Sequence, residues 1–308
     1  MRRRLTGSTL TVVVAFASDL AVALAKLAAG LLSGSSSMLA EAAHSFADSS
    51  SQVLLLVGIR HGRRGPDALH PFGHGMARYL WTLVVSVLIF ALGGIFSVVE
   101  GVERIRAAGT SGGDTGSYWI NYAVLAVAAV LGAVSLARAV TQLDEDARRV
   151  RASRRRLLQL GKDPVMKTVL LSDAGALVGV GIATVGVALH QITGQAAYDG
   201  AASVLIGLLL AGIAVALAID SAGLLLGESA GPYRQGLIRD AILGNDDVEA
   251  IRELLTMYVG PDMLLVASRV SVRDSMSVVE LERLSDEIER RVQEAIPEVR
   301  EFFLDPTA

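Results

Sequence analysis

The chain has no cysteine. That excludes disulfides and thiolate metal sites together, and leaves His, Asp and Glu as the side chains able to hold a transition metal. Charge is scarce as well: Asp, Glu, Lys and Arg make up 19% of the 308 residues, against 52% hydrophobic ones. With a mean hydropathy of +0.49, this balance is foreign to a soluble domain and puts the membrane class first. A net charge of −3 offers no basic excess, so no nucleic-acid partner is expected. Nor does a small-residue cleavage site follow the basic start Arg2–Arg4. The apolar run behind it is too long for a signal peptide and reads as a retained helix.

Crossing the hydrocarbon core of a bilayer takes about 20 mostly apolar residues in a helix. Six segments meet this, roughly Ser8–Leu32, Met38–Ile59, Leu80–Val99, Trp119–Val140, Met166–Leu189 and Ala201–Leu226. Lys and Arg concentrate in alternate loops. One set holds Arg2–Arg4, then Arg60, Arg63, Arg64 and Arg78, then Arg148, Arg149, Arg151, Arg154–Arg156 and Lys162. The opposite set holds only Arg104 and Arg106. The positive-inside rule therefore puts both termini in the cytoplasm, with a bacterial cytoplasmic membrane as the expected host. The run Arg148–Arg156 reads as an orientation signal in preference to a site for anionic lipid heads.

Composition changes after Gly231–Pro232, which divides the chain into a membrane domain, residues 1–230, and a cytoplasmic domain, residues 231–308. In the tail a helix is expected around Tyr233–Leu243. Val248–Val259 and Met263–Val272 read as strands joined by the turn Gly260–Pro261–Asp262. Ser277 with Glu280 forms a capping box, opening a helix whose apolar face is Leu281, Leu284, Ile288, Val292 and Ala295. Pro297 ends that helix, and Arg300–Leu304 makes a short last strand. The order α-β-β-α-β is that of a small α+β domain.

The chemistry lies in what does not belong in lipid. A mid-membrane Asp costs about 2.5–3.5 kcal/mol on an insertion scale, so such groups face a cavity and a partner. The second segment carries Glu41, His44, Asp48 and Gln52, spaced to lie on one stripe of a helix. His44 and Asp48, one turn apart, offer an imidazole nitrogen and a carboxylate oxygen to one ion, a pair suited to zinc and its borderline neighbours. The fifth segment has Asp173, with Ser172 beside it and Thr168 a turn before. In the first, Asp19 pairs with Lys26 or with another helix, and Lys26 snorkels toward an interface. The loop after the second segment brings Asp67, His70 and His74 within eight residues. That spacing serves either a metal or a turn shaped by Pro71 and Gly73 with solvated imidazoles. His61 and His190 lie outside any cluster and read as interfacial.

Two stretches resemble a known family, the cation diffusion facilitators. They are Gly34-Ser-Ser-Ser-Met-Leu-Ala-Glu-Ala-Ala-His44-Ser-Phe-Ala-Asp48 and Tyr198-Asp-Gly-Ala-Ala-Ser-Val-Leu-Ile-Gly207. The loop Asp67–Arg78, with Pro-Phe-Gly-His74-Gly, is similar to the family's connection between helices two and three. The resemblance covers nearly the whole chain. It implies a six-helix membrane bundle with a ferredoxin-like, metallochaperone-like cytoplasmic domain that makes a homodimer. It also implies a transported ion held by two residues of helix two and two of helix five. His44 and Asp48 match the first pair and Asp173 the second acid. The remaining helix-five position is Val169, which cannot bind metal, so Ser172, water or Asp19 is left to complete a tetrahedral shell. The resemblance further implies a peripheral metal at Asp67, His70 and His74. Of the family's tail ligands only Asp305 is present, and no His or Cys occurs there, so a paired tail site is not expected. A Lys used by the family in helix-three packing is replaced by Met76.

The expected activity is movement of a divalent transition-metal cation, zinc first, out of the cytoplasm in exchange for protons, with no enzyme chemistry and no cofactor. Burial disfavours a charged carboxylate while metal demands one, so protons and metal compete for the same atoms. The alternatives are an intramembrane metal-dependent hydrolase, which lacks a His-Glu-x-x-His helix here, and a metal sensor that binds without transport. Cobalt, iron, nickel and manganese stay open beside zinc.

Overall fold

The computed structural model describes residues 4–107, 118–149, 164–261, 263–273 and 276–307. Arg2, Arg3, Arg151, Arg154–Arg156, Lys162 and Asp262 lie outside the described residues. Six long helices come first: α1 (Arg4–Ser33), α2 (Ser36–Gly62), α3 (Ala77–Ala107), α4 (Tyr118–Arg149), α5 (Pro164–Thr193) and α6 (Ala197–Leu225). Four of them, α3 to α6, are long and apolar enough to cross a membrane. α1 and α2, of 30 and 27 residues, have the length, and the polar stripe of α2 dilutes its hydropathy. The first five helices run past both ends of the segments expected for them, and α6 starts earlier than expected but stops at Leu225, one residue short.

By contact the chain divides into two compact units. The first gathers Met1–Val57, Trp81–Arg154 and Pro164–Asp220; the second holds Gly58–Leu80 and Ser221–Ala308 among the described residues. Within the first, α4 packs on both α1 and α5. α3 and α6 approach backbone to backbone: a Cβ on Gly207 would stand 2.8 Å from the Gly94 carbonyl oxygen. α3 widens into a π-helical turn over Ile89–Ile95, which buries Gly93 and Gly94 at that contact.

The start of α2 is fixed by α6. Asp199, fully buried in the first turn of α6, accepts the Ser36 N–H at 2.6 Å and the Ser35 hydroxyl at 2.8 Å, together with the Ser37 hydroxyl. A carboxylate at a helix N-terminus satisfies orphan donors and complements the helix dipole. The two stretches that carry the family resemblance thus meet here.

The second unit contains α7 (Pro232–Leu243), β1 (Val248–Gly260), β2 (Met263–Val272), α8 (Val278–Ala295) and β3 (Val299–Thr307). β1 pairs antiparallel with β2, and β2 parallel with β3, in the order β1-β2-β3. A parallel partner needs a crossover, which α8 supplies. The Ser277–Glu280 capping box forms as expected. Leu284, Ile288 and Val292 bury the face of α8. Ala295, expected on that face, is exposed; Ile296, just past the helix end, closes the core instead. Tyr79, at the start of α3, and Leu224 are buried in the same core, and Met76 packs against it. The class is a helical membrane bundle with a ferredoxin-like, metallochaperone-like α+β domain.

Candidate metal centre

α2 presents His44 with 1% relative exposure and, among the described residues, neither ring nitrogen hydrogen-bonded. A buried imidazole without a partner is costly, and its orphan nitrogens mark where a ligand belongs. One turn on, Asp48 Oδ2 stands 3.4 Å from His44 Nε2. α5 brings the Ser172 hydroxyl, which donates to Asp48 Oδ1 at 2.5 Å. Next to it, Asp173 accepts from the Ser135 hydroxyl of α4 at 2.8 Å and lies within electrostatic reach of Asp48, Asp19 and His44. Asp19 of α1 accepts from Gln52 of α2 at 2.7 Å. Three carboxylates, an imidazole and a hydroxyl from three helices therefore converge on one region of the bundle. Asp173 stays on Ser135 and is not drawn onto the His44–Asp48 pair. Val169 packs against the apolar core of the first unit.

Sequence reasoning misplaced Lys26. Lys26 does not snorkel. It is buried at 3% exposure and donates to Glu41 at 2.7 Å and to Ser45 at 2.9 Å. Asp19 takes the other of its two expected pairings, with another helix, through Gln52 of α2. The signal was available: Lys26 follows Asp19 by seven residues, and Glu41 precedes Asp48 by seven, so each charge lies two turns from a candidate ligand on its own helix. Removing one partner of such a buried pair typically costs about 3–5 kcal/mol.

The second unit holds the other cluster. Ligand atoms of Asp67, His70 and His74 all lie within 4.8 Å of one another. Asp67 Oδ1 takes the backbone N–H groups of His70 at 2.7 Å and Leu69 at 2.9 Å, and meets His70 Nδ1 at 3.1 Å. The His70 backbone bond, with help from the His70 ring and the Leu69 N–H, holds the Asp67 carboxyl below the usual carboxylate range. His74 turns Nδ1 to the Gly65 carbonyl at 3.3 Å and Nε2 toward Asp67 at 3.5 Å. A ring nitrogen held by a carbonyl leaves the other directed at a metal position. His61, read from sequence as isolated, lies with its ring centroid 5.4 Å from that of His74. His190, read as interfacial, is buried edge-on to Tyr118. Asp305 is ion-paired with Arg269 at 2.7 Å.

Residues 12–226 match the family model of the cation efflux transmembrane domain. The chain belongs to the cation efflux family. Residues 234–304 match the cytoplasmic domain of cation efflux proteins. Among curated relatives, Metal tolerance protein C4 of Arabidopsis thaliana is 26% identical over 80% of this chain and 53% of its own length. The human mitochondrial proton-coupled zinc antiporter SLC30A9 is 31% identical over 76% of this chain and 41% of its own. The chain thus spans about half the length of the curated relatives it matches. A solved MamM CTD in a cadmium form is 17% identical, covering 25% of this chain and 95% of that one with a TM-score of 0.24. Cation efflux proteins are multi-pass membrane proteins, and the family is one of efflux rather than hydrolysis.

Proposed function

We propose that this cation efflux protein moves a divalent transition-metal ion, zinc first, out of the cytoplasm in exchange for protons. The observation that carries the reading is His44: an imidazole sealed inside the helical unit, with neither nitrogen hydrogen-bonded among the described residues and Nε2 3.4 Å from Asp48 Oδ2. In this reading His44, Asp48 and Asp173 hold the ion, with the Ser172 hydroxyl as the fourth donor. Ser172 donates to Asp48 and Ser135 to Asp173, hydrogen bonds that an ion on these carboxylates would replace. Hydroxyls of this kind release carboxylates to a metal at small cost and retake them when it leaves. Protons and metal compete for the same oxygens and nitrogens, which is the physical basis of exchange. A proton-coupled zinc antiporter among the relatives supports the same cargo and coupling.

The remaining parts of the reading follow. Asp67, His70 and His74 hold a peripheral ion in the loop between α2 and α3. Residues 1–230 span a membrane, expected to be the bacterial cytoplasmic membrane, with both termini on the side of Arg60, Arg63, Arg64 and Arg78. Residues 231–308 form the cytoplasmic domain of a homodimer. Purified protein in vesicles tests the proposal: zinc uptake driven by an imposed pH gradient, with cobalt, iron, nickel and manganese as competitors. Vesicles that bind zinc without accumulating it overturn transport in favour of a sensor.

A further inference from the structure

Polar contacts that link α1, α2 and α5 include two layers. In one, Asp19 of α1 meets Gln52 of α2, and Asp48 of α2 meets Ser172 of α5. In the other, Lys26 of α1 meets Ser45 and Glu41 of α2, and Glu41 lies against Gly179 of α5. Every member of the second layer is displaced by seven residues from its counterpart: 19 to 26, 52 to 45, 48 to 41 and 172 to 179. Seven helical residues are about 10 Å. The second layer therefore lies on the same helix faces as the candidate centre, about 10 Å further along the bundle.

Three features of this layer point to a ligand. Glu41 is fully buried, and only its Oε2 is bonded to Lys26; Oε1 has no hydrogen-bond partner among the described residues. That free oxygen occupies the space left by the missing side chain of Gly179, where a Cβ would collide with it. His44, with neither nitrogen hydrogen-bonded among the described residues, lies between the layers, three residues from Glu41 and four from Asp48. An imidazole so placed can hold an ion against either carboxylate.

We propose that Glu41 is a second station for the divalent cation and that Lys26 is its tethered placeholder. This rests on the transport reading above. The ion passes from Asp48 and Asp173 through His44 to Glu41, displacing the Lys26 ammonium onto Ser45, and the ammonium returns when the ion leaves. A buried carboxylate with no cation would be expensive, and Lys26 removes that cost between passages. Because Lys26 occupies Glu41 between passages, the station holds no resident ion.

The test uses the full chain with zinc alone as probe, in detergent for binding and in vesicles for uptake. Glu41→Gln keeps the shape of the layer. It should slow zinc uptake at least about tenfold, a barrier of about 1.4 kcal/mol, with zinc bound per chain unchanged. Uptake at the wild-type rate overturns the proposal. Lys26→Met should unmask the station, so that the chain binds one additional zinc, and Lys26→Met/Glu41→Gln should lose it and stay slow. If the pair only packs helices, Lys26→Met gains no zinc and the neutral double variant returns to the wild-type rate; either result overturns the proposal. Should Lys26→Met fail to fold, the rates of Glu41→Gln and of the double variant decide. A wild-type chain that takes up no zinc overturns the transport reading itself. The binding arm then still decides for Glu41: additional zinc in Lys26→Met supports the station, and none removes it.

Discussion

The Ser172 hydroxyl donates to Asp48 Oδ1 across 2.5 Å, so α5 and α2 meet at the level of the buried His44. Ser172 and Asp48 are held to each other, and a metal bound by Asp48 Oδ1 must replace that hydrogen bond. The carboxylates and the hydroxyl should therefore differ sharply in what their loss does. Asp48→Ala and Asp173→Ala each remove an anionic donor and should lower vesicle uptake by about two orders of magnitude or more, about 2.7 kcal/mol. Ser172→Ala removes one hydrogen bond to a charged group and should weaken uptake only roughly tenfold. Initial rates over a zinc concentration series separate the cases. Near-normal uptake by either Ala variant at the Asp positions would remove them from the site.

The identity of the ion should follow the donor at position 44. His44→Asp replaces a nitrogen with an oxygen and favours harder ions such as manganese over zinc. Uptake ratios of the two metals, before and after the change, report this. A ratio that does not move means that His44 is not a ligand.

Much of this was legible in the sequence because the strongest signals were local. The stripe Glu41, His44, Asp48 and Gln52 is a matter of spacing along one helix, and the Ser277–Glu280 box of spacing over one turn. What was not legible depends on register between helices. Asp19 had two candidate partners until α1 and α2 were set side by side, and Lys26 then fell against Glu41. The π-helical turn of α3 likewise answers to the close approach of α6, which no pattern within α3 announces. Ala295 was assigned to the core by periodicity, but the helix ends there and Ile296 swings in from an extended backbone.

Asp199 should prove as important as any ligand while touching none. It gathers two backbone N–H groups and three hydroxyls of Ser35–Ser37 in a site closed to solvent. Asp199→Ala leaves those donors without an acceptor, at a cost of about 1–3 kcal/mol or more. Asp199→Asn keeps one oxygen and should cost less. Thermal unfolding in detergent ranks the three proteins, and vesicle uptake should fall in the same order because α2 carries His44 and Asp48. Equal unfolding midpoints would show that the start of α2 needs no clamp.

Zinc bound by the second unit should belong to its loop and not to its tail. Asp67, His70 and His74 already present their ligand atoms within 4.8 Å, with His74 oriented by the Gly65 carbonyl. Asp67 is kept anionic by the N–H groups of His70 and Leu69, which lower its carboxyl below the usual range. Asp305 faces Arg269 instead, and the tail has no His or Cys to join it. Removing a loop ligand should therefore remove a metal, whereas removing Asp305 should only leave the exposed Arg269 with Glu253 as its remaining acid. The expected result on dialysed full-length protein is that Asp67→Ala/His70→Ala holds one zinc fewer per chain than the wild type, and Asp305→Ala the same number. Metal analysis of the three proteins side by side measures this. A zinc lost with Asp305 would mean that the Arg269 pair opens to admit a carboxylate site, and an unchanged count in the loop variant would return Asp67, His70 and His74 to the role of a turn.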